Sequence, residues 1–491
     1  MEFNDALALV DRIYSRLAAR RPDIERSEEY YEGDQPLSFA TEEWRKANAA
    51  RYAGFSDNWC GPVVNAEAER LHVIGVTGVT KAAQKMVWDS LQHNEFEMQS
   101  SQGFVTALAA KRTFVIVWGD SDGQPLVTFE HPSFVEIEYD FENPRIRKAA
   151  LKTWVDDKLE YATLYTPDEI WKFERKRVSD ADERKSQAQQ SRTVGSPERG
   201  WVPREGVDAW VKNPLGVVPV VEIPNRPTLK GDPISEIQGV MAMQDAINLL
   251  WAYLFLASDY ASMKARVVTG AEPPQVPILD DNGVVIGYRP LDMKDFAEKR
   301  IAFLQGENAK IDEWDAASLD QFLDVIDVAV GHIASQTRTP PTYLVSKTGM
   351  SNVNSEGLKA SEIGLNKKAG EFIRYTDPAL REMGRLVGLV KGDQKVADQM
   401  RQATWVWENP EIRSEGQLAD ALLKKRQLGY PFEYLMELDG HDPRTIKRVL
   451  AMREAELADM QIEAAMRGLD DSSGSSGAVS GAAAGSGGDG S

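Results

Sequence analysis

Two amphipathic helices separated by a polar stretch dominate the hydrophobic pattern of residues 316–391. In the first helical run, apolar side chains recur at three- and four-residue spacings: Leu319, Phe322, Ile326, Val330 and Ile333. This spacing predicts a helix with one apolar face. The second run, 355–390, has a broader and less regular apolar face but the same helical period. The pattern therefore predicts a second, longer helix.

The stretch between these helices, 337–355, cannot continue either of them. Pro340 and Pro341 lack backbone donors and restrict the residue before them, and Gly349 stands among serines and asparagines that favour turns. The pattern therefore predicts two long helices joined by a polar loop. Such an arrangement is typical of a moving part and does not suggest a catalytic one.

In the N-terminal half, the apolar period changes from helical to alternating near Thr113. Residues 4–20 and 62–111 have mainly helical patterns, whereas 113–175 predicts consecutive antiparallel strands with turns between them. A polar, poorly periodic segment, 174–200, predicts a surface excursion, and a short buried strand follows at VVPVVEIP. The fold class predicted for the whole chain is α+β and mainly helical.

Further along the chain, a long helix is predicted over 234–263, with apolar residues on more than one side. Such a helix is usually buried by several neighbours, either from its own chain or from adjacent subunits. Residues 266–314 return to β character, with a hairpin turn at Asn282-Gly283. Helices dominate from 316 to about 468, and the low-complexity segment 469–491 predicts disorder.

Composition adds bounds on the class of protein. The chain has 491 residues, 42% of them hydrophobic, which is enough for about three average domains or one large fold. A single cysteine, Cys60, excludes an intramolecular disulfide, points to a reducing cytoplasm at synthesis, and is expected to be a small buried hydrophobe. The longest apolar run, 249–257, is about half of a bilayer span, so we expect a soluble protein with no membrane partner.

The net charge of −19 changes the expectation for nucleic acids. Tight, non-specific binding of nucleic acid relies on lysine and arginine displacing phosphate counterions, and an acidic chain disfavours it. A surface that repels phosphates would, however, let a duplex slide past without sticking. The charge by itself does not separate this role from that of an ordinary acidic protein.

No motif for catalysis, metal binding or cofactor binding is found in the sequence. The phosphate-binding P-loop and the dinucleotide fingerprint are both absent, and the five histidines stand singly. Ser56-Asp57-Asn58 and Lys347-Thr348-Gly349 match two of the three boxes of penicillin-recognising serine enzymes, but no Ser-x-x-Lys box supplies the nucleophile. We therefore expect no catalytic residue, no metal ligand, no cofactor and no enzyme activity.

With this organisation laid out, the chain resembles the portal proteins of tailed double-stranded DNA phages, of the type with long non-contractile tails. The resemblance spans roughly residues 28–460 and depends on the order and spacing of several segments. These segments are EYYEGDQPL, NPLGVVPVVEIPNRP, GDPISEIQGVMAMQDAINLLWAYLFLASDYASMKARVVTG, IASQTRTPPTYL, NSEGLKASEIGLNKKAGEF and LGYPFEYLMELDGHDPRTIKRVLAMREAE.

The resemblance implies a portal fold with four regions that assembles into a ring of about twelve subunits. The expected parts are a wing at 1–233, stem helices at 234–263 and 316–336, a clip with its adjoining β segment at 264–315, a tunnel loop at 337–355, a long helix returning to the wing at 356–412, crown helices at 413–468 and a disordered tail at 469–491. The ring would occupy one capsid vertex of the virion, after synthesis in the host cytoplasm. Double-stranded DNA would pass through it during packaging and ejection.

Site residues and partners follow from the same resemblance. The candidate DNA-facing residues of the tunnel loop are Ser346, Lys347, Thr348, Ser351, Asn352 and Asn354. The candidates for subunit packing in the stem are Ile247, Trp251, Leu254, Phe322 and Ile326. The implied partners are the terminase large subunit, a head–tail adaptor protein, and the major capsid and scaffold proteins.

Two alternatives compete with the portal hypothesis. The first is an oligomeric capsid adaptor or scaffold protein without a DNA channel, against which the bracketed loop and the order of segments argue. The second is an enzyme with an unrecognised site, for which the chain offers neither a nucleophile nor a cofactor cradle. Lys347 would separate the two classes, since it is a point charge for a phosphate in one and a candidate active-site residue in the other.

Overall fold

The structure is a computed structural model that describes residues 1–35, 55–156, 159–176, 200–262, 266–269, 275–280, 283–290, 301–304, 310–313, 319–344, 355–410, 415–441 and 443–474. The chain divides into two compact units. The first comprises Met1–His72 and Gly78–Thr404, and the second comprises Val73–Thr77 and Trp405–Ser491.

The first unit contains nine of the described helices. They are α1 (Phe3–Glu32), α2 (Cys60–Ala68), α3 (Lys81–His93), α4 (Phe96–Ala110), α5 (Met241–Ser262), α6 (Asp320–Thr337), α7 (Pro341–Leu344), α8 (Ser355–Val390) and α9 (Gln394–Met400). The second unit has three further helices in the described part of the chain, α10 (Glu415–Gln427), α11 (Phe432–Leu438) and α12 (Pro443–Gly474).

The strands form small, mostly antiparallel sheets. They are β1 (Val73–Thr77), β2 (Arg112–Gly119), β3 (Pro125–Glu130), β4 (Val135–Tyr139), β5 (Arg147–Asp156), β6 (Leu159–Tyr165), β7 (Glu169–Lys176), β8 (Val202–Pro203), β9 (Trp210–Lys212), β10 (Val220–Pro224), β11 (Arg266–Thr269), β12 (Gln275–Leu279), β13 (Val285–Pro290), β14 (Ile301–Leu304), β15 (Lys310–Glu313) and β16 (Thr404–Trp407). The largest sheet runs β4-β5-β6-β7-β8, with β9 also pairing β7. The smaller sheets are β10-β2-β3, β14-β11-β15, β12-β13 and β1-β16.

Helix α1 lies on the largest sheet through an apolar face and a row of arginines. Its buried residues Ala6, Val10, Ile13 and Tyr14 share one core cluster with the sheet residues Ala149, Leu151, Ala162, Leu164 and Phe173. Beside this face, Arg12, Arg16 and Arg20 repeat at the four-residue spacing that aligns side chains on a helix. All three arginines pair with Glu136 or Glu138 of β4.

The helices that the sequence predicts around the polar loop are confirmed. The apolar period that begins at Leu319 becomes α6, and the second run becomes the uninterrupted helix α8. The strands over 113–175 and the hairpin of β12 and β13 are confirmed as well, with Gly283 at φ +79° in the turn. Cys60 is buried and free, and burial raises the pKa of its thiol to about 12.

Two helix boundaries predicted from the sequence are wrong. Helix α1 continues well beyond residue 20 and ends at Glu32, where Gly33 takes a left-handed conformation. Helix α5 begins at Met241, not at residue 234. The segment before it forms turns because tertiary partners use its backbone N–H groups: Ile234 donates to the Asn225 carbonyl and Glu236 donates to the Leu108 carbonyl.

At the C-terminal end, α12 continues to Gly474, so the predicted disorder does not begin at residue 469. Residues 475–491 lie outside the described part of the chain, as does most of the polar segment 174–200, of which β7 includes the first three residues. No described helix has the length and apolar character needed to cross a membrane.

Candidate functional site: the helical junction beside the polar loop

The structure describes both flanks of the predicted tunnel loop. Helix α7 ends at Leu344 and α8 begins at Ser355, while all six candidate DNA-facing residues, 346–354, lie outside the described residues. The functional geometry available is therefore that of the two flanks. It shows what holds the helices on either side of the loop.

On the N-terminal side, the chain turns sharply between α6 and α7. Arg338 adopts a left-handed conformation with φ +54°, and the Thr339 N–H donates to the Ala334 carbonyl over 3.0 Å, which closes the end of α6. The Thr337 hydroxyl donates to the Ile333 carbonyl over 2.7 Å. Pro341 then begins α7, the helix position where a missing N–H costs nothing.

A buried lysine on α8 is the centre of the junction. Lys368 Nζ lies 3.0 Å from Glu67 Oε2 on α2 and 2.9 Å from Glu236 Oε2 in the segment before α5. Its ammonium also donates to the Thr337 carbonyl at the end of α6 over 3.1 Å. All three charged side chains are buried, with at most 4% of each exposed. One ammonium thus joins α2, α6, α8 and the start of α5.

The two carboxylates of this cluster have pKa values shifted in opposite directions. Burial by itself lowers the pKa of Lys368, but Glu67 and Glu236 outweigh burial and raise the pKa above its ordinary value. Burial raises the pKa of Glu67 to about 7, although Lys368 opposes that shift. For Glu236, burial is outweighed by Lys368 and by the Asn225 amide, which donates over 3.0 Å, so its pKa is lowered. Glu236 is therefore the permanent counter-ion and Glu67 the carboxylate that takes up a proton near neutral pH.

A second polar contact fixes the same junction from the other side of the loop. Arg70, which follows α2, donates to the Tyr343 hydroxyl of α7 over 3.0 Å. The same guanidinium lies 3.7 Å from Glu362 of α8. Because Tyr343 precedes the loop and Glu362 follows it, Arg70 connects both flanks to α2. Helical spacing in the sequence does not reveal these contacts, since lysine and arginine side chains are usually exposed to solvent.

The predicted stem residues lie on α5 and α6, which pack against each other within one chain. Ile247, Leu254 and Ile326 are buried in that chain, and Trp251 and Phe322 are partly buried. Trp251 is also anchored internally, because its indole N–H donates to Asp57 Oδ2 over 2.7 Å. Asp57 accepts a second indole N–H, from Trp59, over 3.0 Å.

Two buried amides on α5 explain the Ser-Asp-Asn string noted in the sequence. Gln244 accepts the Trp59 backbone N–H over 2.8 Å, and Asn248 accepts the Asp57 backbone N–H over 3.1 Å. Residues 57 and 59 are therefore bound to α5 by hydrogen bonds from their backbone N–H groups. The signal in the sequence was a pair of amides four residues apart in an otherwise apolar helix.

Apolar and acidic side chains remain exposed on the outer faces of these elements. On α6 the exposed residues include Leu323, Val325 and Val328, the last with 58% of its surface accessible. Asp320, Asp324 and Asp327 form an exposed acidic stripe on the same helix. The β12–β13 hairpin exposes a further apolar set, Ile278, Leu279, Val284, Val285, Ile286 and Tyr288. Contiguous exposed apolar patches are typical of interaction surfaces.

Within the described residues, no group of three or more histidine, cysteine, aspartate or glutamate side chains could hold a metal ion. The charged groups of the junction are buried and paired with one another, which suits them to hold helix ends in place.

Comparisons with known proteins identify the family of the chain. A family profile described as "Phage portal protein, SPP1 Gp6-like" matches residues 10–457. The portal protein of Mycobacterium phage D29 is 25% identical over 386 residues, which cover 74% of this chain and 70% of that protein. The portal protein of Mycobacterium phage L5 is 26% identical over 383 residues, with the same coverage.

Among solved structures, the chain is similar to a chain of the virion of a native gene transfer agent particle. The two share 11% identity at a TM-score of 0.39, over 79% of this chain and 89% of the other. At that level the likeness carries no weight for fold or function. The family match covers most of the sequence, and the chain belongs to the SPP1 Gp6-like family of phage portal proteins.

Proposed function

We propose that this chain is the subunit of a ring-shaped portal through which double-stranded DNA enters the capsid and later leaves it. The observation that carries the proposal is the match to the phage portal family over residues 10–457. The junction around Lys368 supports it, because it joins the end of α6 to α8 on either side of the polar loop in the sequence. Flanking helices anchored in this way give the loop fixed attachment points. The ring would contain about twelve copies in one closed arrangement.

Helices α5 and α6 are the proposed stem. Because Ile247, Leu254 and Ile326 are buried within one chain, they support the stem from inside. The partly buried Trp251 and Phe322, with the exposed residues Leu323, Val325 and Val328 of α6 and Tyr253 of α5, supply the apolar surface for contact between subunits. Burying that surface in the ring removes it from water.

The acidic stripe of α6 and the polar loop have opposite roles towards DNA in this proposal. Asp320, Asp324 and Asp327 repel phosphates and keep the duplex from adhering to the stem. The loop residues Ser346, Lys347, Thr348, Ser351, Asn352 and Asn354 make weak contacts that do not depend on base sequence. Lys347 supplies the one positive charge among them, as a point contact that breaks easily.

The remaining regions are assigned by the same proposal. Residues 264–315, with the exposed β12–β13 hairpin, form the clip that docks the terminase large subunit and afterwards the head–tail adaptor. Residues 1–233 form the wing, 356–412 return the chain to it, and 413–468 form the crown. The ring occupies one capsid vertex beside the major capsid and scaffold proteins, after synthesis in the host cytoplasm.

Imaging tests the ring first. The full chain, alone and co-expressed with the capsid and scaffold proteins of its phage, is examined by negative-stain electron microscopy. Rings with a central hole are the expected result and provide the subunit number. A compact closed oligomer without a hole would instead favour a capsid adaptor or scaffold, and rings in neither preparation would contradict the proposal.

A packaging assay then tests the loop. Lys347→Ala is expected to leave rings intact and to change the amount or rate of DNA packaged, because only the phosphate contact is lost. The exposed Lys81 at the start of α3 provides the matched control, Lys81→Ala. Equal packaging by both variants and the wild type would show that Lys347 does not contact DNA in the channel.

A further inference from the structure

A groove of about 780 Å³ lies on the first unit, away from the loop junction. One wall is the end of β4 with the following turn, a second is the segment leading into β10, and a third is the C-terminal half of α8. The floor is apolar and includes Val217, Val218, Val221 and Ala379. Nothing in the proposed DNA channel uses this surface.

The groove has a positive charge on an otherwise acidic protein. Its lining contains five arginines and only two glutamates. The arginines are Arg145, Arg147, Arg381, Arg385 and Arg401. The chain as a whole has a net charge of −19, so the sign of the charge in the groove is opposite to the net charge of the protein.

The two glutamates in the groove are already paired within the chain. Glu382 is shared by Arg147 and Arg385, and the pKa of its carboxyl is lowered because these two guanidiniums outweigh the effect of burial. Glu222 binds Arg112 over 2.8 Å and accepts the Tyr139 hydroxyl over 2.8 Å. The net charge of the groove lining therefore remains positive after its internal ion pairs are taken into account.

Two of the arginines have little or no neutralisation by fixed partners. Within the described residues no carboxylate pairs with the exposed Arg145. Arg401 has only a loose contact of 3.7 Å with Asp398, and both side chains are 59% exposed. These donors are available to carboxylates brought by another molecule.

The shape of the groove favours a protein segment over DNA. A duplex presents phosphates and no apolar side chains, whereas the lining of this groove combines apolar residues with arginines. An acidic polypeptide segment can place apolar side chains on the floor and carboxylates on the arginine rim. Arginine suits such a partner because its planar fork binds carboxylates through two parallel hydrogen bonds.

We propose that the arginine groove receives an acidic surface of a second copy of this chain, as a contact between neighbouring subunits of the ring. This inference rests on the proposed ring. In a closed ring each subunit presents two different patches, one to each neighbour. Subunits that each have a net charge of −19 repel one another at a distance, so a locally positive patch is needed where they meet.

Charge reversal tests the groove in the preparation that forms rings. Arg145→Glu with Arg401→Glu is expected to raise the concentration for half-maximal ring formation by about tenfold or more at moderate salt. The matched control is Lys81→Glu with Lys230→Glu, which changes the net charge equally at two exposed lysines outside the groove. The difference between the two variants should shrink in about 1 M salt, where charges are screened.

Cross-linking identifies what lies in the groove. Arg145→Lys introduces an amine that a carbodiimide couples only to a carboxylate in direct contact. Rings are assembled from isotopically labelled and unlabelled chains, and mass spectrometry is expected to find peptides that join the two.

Two outcomes separate this inference from the function on which it rests. The groove contact would be overturned if the charge-reversed chain assembled as wild type does, or if the introduced lysine coupled only within its own chain. Neither outcome would contradict the proposed ring. The absence of rings from the wild-type chain under every condition would contradict both.

Discussion

Lys368 and Glu236 form a buried ion pair with 2.9 Å between the ammonium nitrogen and the carboxylate oxygen. Glu236 precedes α5 and Lys368 lies within α8, so the pair connects a proposed stem helix to the helix that follows the polar loop. The same ammonium contacts Glu67 and the last carbonyl of α6.

Replacing Lys368 measures how much the junction contributes to stability. Lys368→Met keeps most of the length of the side chain and leaves Glu67 and Glu236 buried without their cation. Breaking a buried pair in this way costs about 3–5 kcal/mol. Urea unfolding should show the loss, whereas Lys367→Met, at an exposed neighbouring position on α8, should change the unfolding free energy by less than about 0.5 kcal/mol. Equal stability of the two variants would contradict the assigned junction.

Protonation of Glu67 makes stability depend on pH. Its pKa in the folded protein is about 7, above the value of about 4.3 for an unfolded glutamate. The folded state therefore holds the proton more tightly. The resulting stabilisation is complete below about pH 4, declines as the pH rises between these two values, and is lost above about pH 7.

Glu67→Gln removes that dependence. From pH 5 to pH 8, wild type should lose about 2 kcal/mol of unfolding free energy that the variant keeps, because only wild type loses the proton of Glu67. The difference between the two proteins should therefore shift by that amount in favour of the variant. Denaturant unfolding at the two pH values measures the difference. Glu25→Gln, which removes an exposed carboxylate from α1, is the control. A constant difference between Glu67→Gln and wild type at both values would show that Glu67 does not titrate in this window.

Asp57 is expected to contribute through its two indole hydrogen bonds. Asp57→Ala leaves the N–H groups of Trp59 and Trp251 without their acceptor, and each loss costs about 1–3 kcal/mol. Asp57→Asn retains an acceptor oxygen and should recover part of the loss. Tryptophan emission together with chemical unfolding provides the measurement. If alanine and asparagine are equivalent, the indole hydrogen bonds do not stabilise the fold.

Two glycines of α8 give an internal comparison. A Cβ on Gly388 would lie 2.8 Å from the Ala397 backbone nitrogen of α9, so Gly388→Ala should destabilise by about 1–3 kcal/mol through overpacking. At Gly370 a Cβ meets nothing within 4 Å, and Gly370→Ala should stabilise by about 0.5–1 kcal/mol through helix propensity. Opposite signs in thermal unfolding are the expected result. Destabilisation by both variants would mean that α8 has other contacts at Gly370.

Local patterns were enough to predict α6, α8, the antiparallel strands and the β12–β13 hairpin. Each of these elements is specified by a repeating apolar period or by a turn residue within a few positions along the chain. The flanks of the polar loop were predictable for the same reason, since the adjacent Pro340 and Pro341 remove two backbone donors and disfavour a continuing helix. The family was recognisable from the order of segments, and the comparisons confirm it.

The start of α5 and the junction around Lys368 were decided by tertiary structure alone. Residues 234–240 have a helical apolar period, yet the N–H groups of Ile234 and Glu236 bind the carbonyls of Asn225 and Leu108. Lysine and glutamate on a helix usually face solvent, so the sequence does not mark Lys368 and Glu67 as buried. Only the folded chain brings them together as a buried pair. The sequence determined the elements because periodicity acts locally. It did not determine these contacts, because the free energy of burying a charge depends on partners that distant segments supply.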